Sequence, residues 1–316
     1  MTIQGLSTYC KNKNNEKGFY KEDSIDKLFG TVAAIDFPII SINLRRNAIK
    51  QLTNETEYIN KLHDFEDIDP IWKEKIIDTL TMYLSNGIRP IIVLDGKGKT
   101  HKSATKDKRN SIYRNTLNKI TELLETQNRD EEDPFDKCSN QKELRKLIGG
   151  FIEYGYDTFS IVSEICDLMG IPCIIARGEA EELCSRLCVE GKADYVISTD
   201  IDCMPLGCQM QVTNINTFNG KIKYRLLDDM LELLNLNYNQ FVIFCILCGT
   251  DFNKNVKGKG PDKSYKAYKL NNFNIEDTIE YFEDNKHDVS VLRYNNTGHC
   301  FDYIETNIDS ADLEII

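Results

Sequence analysis

The stretch ADYVISTDID, residues 193–202, places a short apolar run a few residues before two carboxylates. Two other stretches repeat this order: TVAAID, residues 31–36, ends at Asp36, and PIIVLD, residues 90–95, ends at Asp95. Short continuous apolar runs are typical of buried parallel strands. Amphipathic helical patterns lie between the runs, and this strand–helix–strand repetition predicts an α/β fold with a mostly parallel twisted sheet.

The predicted strands all end in acid. Open parallel sheets bind their ligands beyond the carboxyl ends of the strands, where Asp36, Asp95 and Asp200 would lie. A single Asp after a strand is usually a helix cap or a turn residue, so none of the three is informative alone. Their repetition predicts a functional acidic site at this edge of the sheet.

Further carboxylates have settings that suit a metal site. Glu179 and Glu181 belong to GEAEEL at the start of a predicted helix, and Asp251 follows an apolar helix in CGTD. The full candidate set has seven members: Asp36, Asp95, Glu179, Glu181, Asp200, Asp202 and Asp251. Converging carboxylates repel one another unless cations neutralise them, and oxygen ligands without His or Cys select Mg²⁺ or Mn²⁺. Seven exceed the needs of one Mg²⁺ and predict two ions about 4 Å apart.

The net charge of −11 is distributed unevenly. Residues 273–316 hold eleven acidic and two basic residues, so they carry −9 and the first 272 residues carry −2. Basic residues are grouped at 97–114, with seven Lys or Arg against one Asp, and at 254–269, with six Lys against one Asp. Such local groups predict a surface that binds a polyanion in spite of the overall charge.

The cysteines and the apolar runs bear on compartment. The longest apolar run, residues 241–248, is far shorter than the roughly 20 residues that span a bilayer. The first ten residues show no secretory pattern, so we expect an intracellular protein of the nucleus or cytoplasm with reduced thiols and no membrane partner. The pairs Cys245/Cys248 and Cys184/Cys188 leave zinc open, but buried free thiols are the more ordinary interpretation.

The segment GKGKT, residues 96–100, follows a predicted strand as a phosphate-binding P-loop would. The first glycine of that motif would fall at Val93, inside the strand. The pattern therefore disfavours a nucleoside triphosphatase.

Five segments resemble, in order and spacing, the flap endonuclease/XPG family: VAAID, PIIVLDGKGKTHKSATKDKR, MGIPCIIARGEAEEL, ISTDIDCMPLG and ILCGTDFNKNVKGKGP. The resemblance implies a PIN-like nuclease fold with a helical arch over residues 97–165 and a helix–two-turn–helix element at about 240–270. It implies a nuclease domain over 1–272, with an N-terminal region 1–115 and an internal region 166–272. Residues 273–316 are then a separate acidic C-terminal segment.

The resemblance also assigns roles to particular residues. The family's metal carboxylates fall on the seven acidic residues above, and its two basic catalytic residues fall on Lys102 and Arg109. Lys106 lies between them on the same predicted helix face, so these cations would steer and polarise the scissile phosphate.

The helix–two-turn–helix element is expected to bind duplex DNA. Its loop carries Lys257, Gly258, Lys259 and Gly260, and Lys263 follows in the next helix. Glycines allow the backbone to approach phosphates, and the helix start offers free N–H groups. The family resemblance implies a K⁺ ion at this element.

The function implied is a structure-specific 5′ endo- and exonuclease that cuts branched or flapped DNA with two Mg²⁺ ions, for which Mn²⁺ can substitute. Such an enzyme serves replication, repair or recombination. Two alternatives stay open: a catalytically inactive DNA-binding scaffold on the same fold, and an RNA-directed nuclease. The sequence does not decide the oligomeric state.

Three features depart from the family pattern. Thr2 stands where the family has a glycine near the substrate, and Ile42 stands where flap endonucleases carry a base-stacking aromatic residue. The C-terminal region shows no sliding-clamp motif. Compact members from large DNA viruses are therefore as plausible as a cellular enzyme, and a viral member would act at a cytoplasmic replication site.

Overall fold

Five neighbouring parallel strands and two antiparallel strands form a seven-stranded sheet with the order β1-β7-β6-β5-β2-β3-β4. The strands are Lys21–Ser24 (β1), Val32–Asp36 (β2), Arg89–Leu94 (β3), Cys173–Ile175 (β4), Tyr195–Ile197 (β5), Met210–Asn216 (β6) and Lys221–Leu226 (β7). The computed structural model describes residues 3–13, 19–54, 65–96, 103–127, 134–151 and 157–294. For residues 65–66, 103–110, 127, 134–137 and 157–158 it describes the backbone only.

The chain divides into two units. Unit 1 comprises Met1–Phe37, Ser85–Lys102 and Pro172–Ile316, and it contains the whole sheet. Unit 2 comprises Pro38–Leu84 and Ser103–Ile171 and is helical in its described part. The helices are Leu6–Lys13 (α1), Phe37–Asn54 (α2), Phe65–Ser85 (α3), Ser103–Gln127 (α4), Pro134–Gly150 (α5), Asp157–Met169 (α6), Ala180–Val189 (α7), Leu227–Leu234 (α8), Tyr238–Cys248 (α9), Pro261–Leu270 (α10) and Ile275–Asp284 (α11).

The register of the sheet follows from the apolar runs. β2 pairs in parallel with β3 on one side, Asp36 opposite Val93, and with β5 on the other, Ile35 opposite Ile197. β3 pairs with β4 and β5 pairs with β6, also in parallel. β2, β3 and β5 are buried over most of their length, and their buried side chains are apolar up to Asp36 at the end of β2. β7 and β1 complete one edge with antiparallel pairing.

The core of unit 1 packs α1 and the helices from α7 onward against the sheet. α9 is apolar around most of its circumference, with Phe241, Phe244 and Leu247 buried, and its start is fixed by a capping box between Asn237 and Gln240. Among the described residues no single helix is long and apolar enough to span a membrane. The pair α8–α9, bent by 77°, passes that test of length and composition jointly.

Unit 2 is centred on Trp72. This side chain is fully buried in α3, its indole N–H donates to the Ser41 carbonyl at 3.1 Å, and Arg45 lies over its ring at 4.9 Å. Arg45 is itself 1% exposed and pairs with Asp69 at 3.1 Å. Partnering of this kind is needed because an unpaired buried guanidinium would be strongly destabilising.

The predicted fold class is confirmed: the fold is α/β, with a mostly parallel sheet. α3 begins at Phe65 and accommodates Pro70 in its interior. The described part of the region 97–165 forms α4, α5 and the first residues of α6, and the helical arch stays a prediction. Strands β1, β4, β6 and β7 were not anticipated. α11 and the turn Ser290–Leu292 pack into the core of unit 1, and the domain boundary at 272 stays a prediction.

Candidate active site

Three strand ends meet at one edge of the sheet in unit 1. β5, β2 and β3 are parallel neighbours, so their carboxyl ends lie side by side. Asp36 is the last residue of β2, Asp95 follows β3, and Asp200 comes three residues after β5. Asp36 lies close enough to Asp95 and Asp200 for both carboxylates to act on its pKa. The sequence had predicted that these three carboxylates lie at one edge of the sheet.

Ser198 connects β2 to the turn after β5. Its hydroxyl donates to Asp36 Oδ2 at 2.7 Å and accepts the backbone N–H of Asp200 at 3.1 Å. Asp200 Oδ1 accepts the backbone N–H of Asp202 at 3.3 Å and so caps the short 3₁₀ turn Ile201–Cys203. Local side-chain-to-backbone bonds therefore shape the acidic turn.

Asp95 also contacts a helix start. Its Oδ1 accepts the backbone N–H of Ala180, the first residue of α7, at 2.8 Å, whereas the N-cap residue Glu179 makes no side-chain cap bond. A Cβ at Gly96 would overlap the carbonyl oxygen of Ala176, so only glycine allows this close approach. Asp95 thus stabilises the positive end of the α7 dipole while facing the acidic edge.

Four of the seven carboxylates are buried. Asp36 is 2% exposed, Asp202 is fully buried, and Glu179 and Glu181 are each 7% exposed. The other three, Asp95, Asp200 and Asp251, are half-buried. Buried ionised carboxylates are costly unless they are paired with positive charge or are protonated.

Burial and mutual repulsion shift the pKa values at this edge. Burial, reinforced by Asp95 and Asp200 and opposed by the Ser198 hydroxyl, raises the pKa of Asp36 to about 7. Burial, with Glu179 and Asp36 nearby, raises the pKa of Glu181 well above its ordinary value. Burial and Asp200 do the same for the pKa of Asp202. Such groups favour a bound cation, because it restores their ionised form.

The N-terminal segment enters this edge through backbone hydrogen bonds that the sequence did not predict. The backbone N–H of Ile3 donates to Asp202 Oδ1 at 3.2 Å, and that of Gln4 donates to the Gly249 carbonyl at 3.0 Å. Asp251 lies in the turn that follows Gly249. The segment thereby connects the turn of Asp251 with Asp202. Thr2 itself lies outside the described residues.

The carboxylates of the acidic edge do not form a compact ligand cluster among the described residues. Across the described residues, no group of three His, Cys, Asp or Glu is gathered closely enough to hold one ion in common. One oxygen, Asp202 Oδ2, is buried and lacks a hydrogen-bond partner in the described part of the chain. Mg²⁺ commonly takes one or two carboxylates and keeps several waters, so it suits an acidic edge of this kind. The seven-ligand set stays a prediction.

A buried polar pair lies behind the acidic turn. Gln211 on β6 donates through Nε2 to the carbonyl of Ser198 at 2.9 Å and to the carbonyl of Asp200. Its Oε1 accepts Arg225 Nε at 2.8 Å, and both side chains are fully buried. Burial lowers the pKa of Arg225, and the carboxylate of Asp200 opposes that shift. This pair has no local sequence signature, because its members lie on strands that sequence reasoning did not identify.

The predicted DNA-binding loop joins α9 to α10, as a helix–loop–helix. Lys257 and Lys263 are exposed, and Gly258 has φ +77°, a conformation that favours glycine. Gly260 is the extended N-cap of α10 and provides no side-chain cap. Lys259 differs, since it is half-buried and its Nζ lies 5.6 Å from the centre of the Phe282 ring. K⁺ binding here stays a prediction.

The predicted catalytic cations Lys102 and Arg109 and their neighbour Lys106 belong to the region around the start of α4. Lys102 lies outside the described residues, and Lys106 and Arg109 belong to α4, where their backbone alone is described. Their roles stay predictions.

Ile42, which stands where flap endonucleases carry an aromatic residue, is half-buried on α2.

The cysteine pairs lie in apolar surroundings. Cys184, Cys245 and Cys248 are fully buried free thiols, and burial raises the pKa of each well above its ordinary value. High thiol pKa values disfavour the thiolate form that metals require. Packing as small apolar groups accounts for these three residues.

Two family models match the chain: the XPG N-terminal domain matches residues 1–116 and the XPG I-region matches residues 170–251. The chain belongs to the flap endonuclease/XPG family. The resemblance in the five sequence segments is thereby confirmed. The first match includes the strands that lead to Asp36 and Asp95, and the second includes the strand and turn that carry Asp200 and Asp202.

Individual relatives agree with this family. The chain is 31% identical over 273 residues to flap endonuclease 1 of Theileria annulata, covering 85% of this chain and 50% of that protein. Its fold is similar to the catalytic core of Rad2 in complex with DNA substrate, with a TM-score of 0.59, 18% identity and coverage of 90% and 72% of the two chains. It is also similar to the Holliday junction-resolving enzyme GEN1 in complex with product DNA and a Mg²⁺ ion, with a TM-score of 0.54, 15% identity and coverage of 93% and 64%. The chain spans about half the length of the curated relatives it matches, from 44% to 53%.

Proposed function

We propose that this flap endonuclease/XPG family member is a structure-specific nuclease that hydrolyses phosphodiester bonds in branched or flapped DNA. The observation that carries the proposal is the acidic edge of unit 1, where Asp36, Glu181 and Asp202 are buried among further carboxylates. Burying several like charges is destabilising, so a fold gains from it only where a cation or proton is to be bound.

Divalent cations fit this edge. The donor set is made of carboxylate oxygens, which select Mg²⁺ or Mn²⁺, and Asp202 Oδ2 is a buried oxygen that lacks a partner within the described residues. Asp36, Asp95, Glu179, Glu181, Asp200, Asp202 and Asp251 would hold the metal. Divalent ions held there would supply a more acidic attacking water and positive charge beside the leaving oxygen.

The chain's own residues would prepare that chemistry. Ser198 and Gln211 hold the turn of Asp200 from two sides, which limits the movement of its carboxylate. We propose that Lys102 and Arg109 bind the scissile phosphate and stabilise the charge that develops on its oxygens.

Duplex DNA would be bound elsewhere in unit 1. The exposed Lys257 and Lys263, with the uncapped start of α10 between them, present cations and backbone N–H groups to a phosphate backbone. The similar Rad2 and GEN1 structures hold DNA substrate and product DNA, respectively, which supports DNA as the substrate class.

The deciding experiment is cleavage of a panel of end-labelled substrates: a 5′ flap, a gap, a nick, a four-way junction, an intact duplex and one RNA flap. Each is incubated with Mg²⁺, with Mn²⁺ and with excess chelator. We expect cleavage of at least one branched DNA that needs divalent metal, together with little cleavage of the intact duplex.

The alternatives produce different results in the same panel. A chain that binds branched DNA tightly but cuts nothing in either metal is an inactive scaffold. Faster cleavage of the RNA flap than of its DNA equivalent identifies an RNA-directed nuclease. Cleavage that persists in excess chelator contradicts the metal assignment.

A further inference from the structure

A cleft between α1 and α10 combines aromatic rings with lysines. Its volume is about 860 Å³, and both helices belong to unit 1. α1 contributes Tyr9 and Lys13, and α10 contributes Tyr265, Lys266 and Lys269. The cleft is separate from the acidic edge and contains none of the seven predicted metal carboxylates.

The floor of the cleft is aromatic and firmly anchored. Tyr9 and Tyr265 pack with ring centres 5.8 Å apart, and each also contacts Phe244. The Tyr265 hydroxyl donates to the Leu234 carbonyl at 2.5 Å, so this ring has little freedom to turn. At the rim Leu270 is 66% exposed and adds apolar surface beside the lysines.

The rim is cationic. Lys13, Lys266 and Lys269 are exposed, and Lys13 Nζ lies 3.9 Å from the centre of the Tyr265 ring. Lys266 pairs with Asp262 at 2.7 Å, so the side chains that line the cleft carry a net charge of about +2 at neutral pH. Cations held over aromatic faces keep their charge available to an anion while they are positioned by the ring.

We propose that this cleft binds an unpaired segment of the nucleic-acid substrate, with a base against the half-buried ring of Tyr9, which the buried Tyr265 supports, and phosphates at the lysines. The inference rests on the proposed function, because it adds a subsite for the same substrate. Sites for single strands combine stacking faces with cations in this way. A concave cleft also suits an unpaired nucleotide better than the convex backbone of a duplex.

Continuity with the predicted duplex site favours a nucleic acid over an acidic peptide. Lys263, Lys266 and Lys269 follow one another at intervals of three residues on α10, so they span roughly 9 Å along the helix. A strand that leaves a duplex held at the start of α10 would therefore meet the cleft within two turns.

The test compares two probes, an oligo-dT of about eight nucleotides and a blunt duplex of about 20 base pairs, by fluorescence anisotropy in chelator. In the variant Lys13→Gln plus Lys269→Gln, we expect roughly tenfold weaker oligo-dT binding and a salt slope smaller by about 1.4, or about 0.7 per lysine. Duplex affinity should change by less than about twofold. The matched control is Lys192→Gln plus Lys221→Gln, two exposed lysines of unit 1 outside the cleft, which should change neither.

A second variant separates stacking from charge. Tyr9→Leu keeps an apolar floor but removes a ring, so it should weaken oligo-dT binding several-fold with the salt slope unchanged. Thermal melts verify that each variant folds. Tyr9→Phe retains the ring and should bind oligo-dT as the wild type does.

The outcomes distinguish this inference from the proposed function. Unchanged oligo-dT binding in the double variant overturns the cleft while duplex binding leaves the nuclease proposal intact. Equal losses for both probes mean general electrostatic attraction and also overturn it. If poly-glutamate binds the cleft and oligo-dT does not, the occupant is an acidic peptide. Wild-type protein that binds neither nucleic acid contradicts the proposed function itself.

Discussion

The acidic edge and the basic face of α10 are two regions of unit 1 built on opposite principles. At the edge, the carboxylates accept hydrogen bonds from the Ser198 hydroxyl and from the backbone N–H groups of Ile3 and Asp202, and four of the seven are buried. On α10 and the loop before it, Lys257, Lys263, Lys266 and Lys269 are all exposed. The edge depends on the position of each atom, whereas the basic face depends on the number of charges.

This difference predicts how the two regions respond to change. Losing one atom at the edge alters a geometry that no neighbour can replace, because interactions are strong where water is excluded. Losing one exposed lysine removes one of several screened charges, each of modest effect. Substitutions at the edge should therefore act on rate and stability, and substitutions on the basic face should act on affinity and salt dependence.

Asp200→Asn is the sharpest test of the edge. It preserves shape but removes a charged ligand, so single-turnover cleavage should fall by orders of magnitude while branched-DNA affinity persists or rises slightly. Rates at saturating enzyme isolate the chemical step from binding. Asp228→Asn, an exposed carboxylate on α8, is the control and should cut normally. Wild-type rates in Asp200→Asn would show that this carboxylate holds no catalytic metal.

Asp36→Asn tests the effect of burial through pH. The folded state raises the pKa of Asp36 from 3.8 to about 7, so it binds that proton more tightly than the unfolded chain does. Stability from this group is present below about pH 4 and is lost as pH rises toward about 7, by up to about 4 kcal/mol. In chelator, Asp36→Asn should therefore be more stable than wild type at pH 8, and the difference should shrink toward pH 5.

The measurement is chemical denaturation of both proteins at several pH values, with and without millimolar Mg²⁺. Mg²⁺ should stabilise the wild type at pH 8 more than the variant, because it binds the native acidic edge and relieves its repulsion. A stability difference that does not vary with pH would contradict the role given to this carboxyl.

Gln211 tests whether the edge is positioned from behind. Gln211→Leu leaves the carbonyls of Ser198 and Asp200 and the Nε of Arg225 without their bonds, at a cost of about 3 kcal/mol. Gln211→Glu retains an acceptor for Arg225 but cannot donate to the two carbonyls. Both variants should lower the single-turnover rate more than DNA affinity, and only the Leu variant should lose the contact with Arg225. If both variants have wild-type DNA affinity and a wild-type single-turnover rate, Gln211 contributes only to packing.

The basic face should give the smallest effect. Lys257→Gln plus Lys263→Gln should weaken duplex binding roughly tenfold and reduce the salt slope by about 1.8, or about 0.9 per lysine. Cleavage at saturating enzyme should change little. Salt titration of duplex affinity measures this, with Lys192→Gln plus Lys221→Gln as the control. A large loss of single-turnover rate would instead place these lysines near the chemistry.

The sequence predicted the parts of the site that have a local signature. Asp36, Asp95 and Asp200 each follow an apolar run. Parallel pairing places the carboxyl ends of adjacent strands side by side, whatever path the connecting helices take. The helix–loop–helix of α9 and α10 was expected from the family resemblance, to which the segment ILCGTDFNKNVKGKGP contributes.

Contacts between distant residues could not be predicted in the same way. Ile3 bonds to Asp202, 199 residues away, through a backbone N–H that every residue except proline carries. Gln211 and Arg225 meet only because β6 and β7 form a hairpin, and MQVTNIN is too polar to be recognised as a strand. β1 has no apolar residue at all, with the sequence KEDS, and is a strand only because β7 pairs with it.

That pairing has a consequence for synthesis. β1 forms its ladder with β7, Lys21 opposite Tyr224, so about 200 residues separate a strand from its partner. A ribosome adding about 5–20 residues per second completes that interval in roughly 10–40 seconds. During this time the polar side chains of β1 can stay hydrated and expose little apolar surface that could aggregate. An unpaired apolar strand in the same position would expose such a surface. The order of translation thus gives a physical reason for a strand made of Lys, Glu, Asp and Ser.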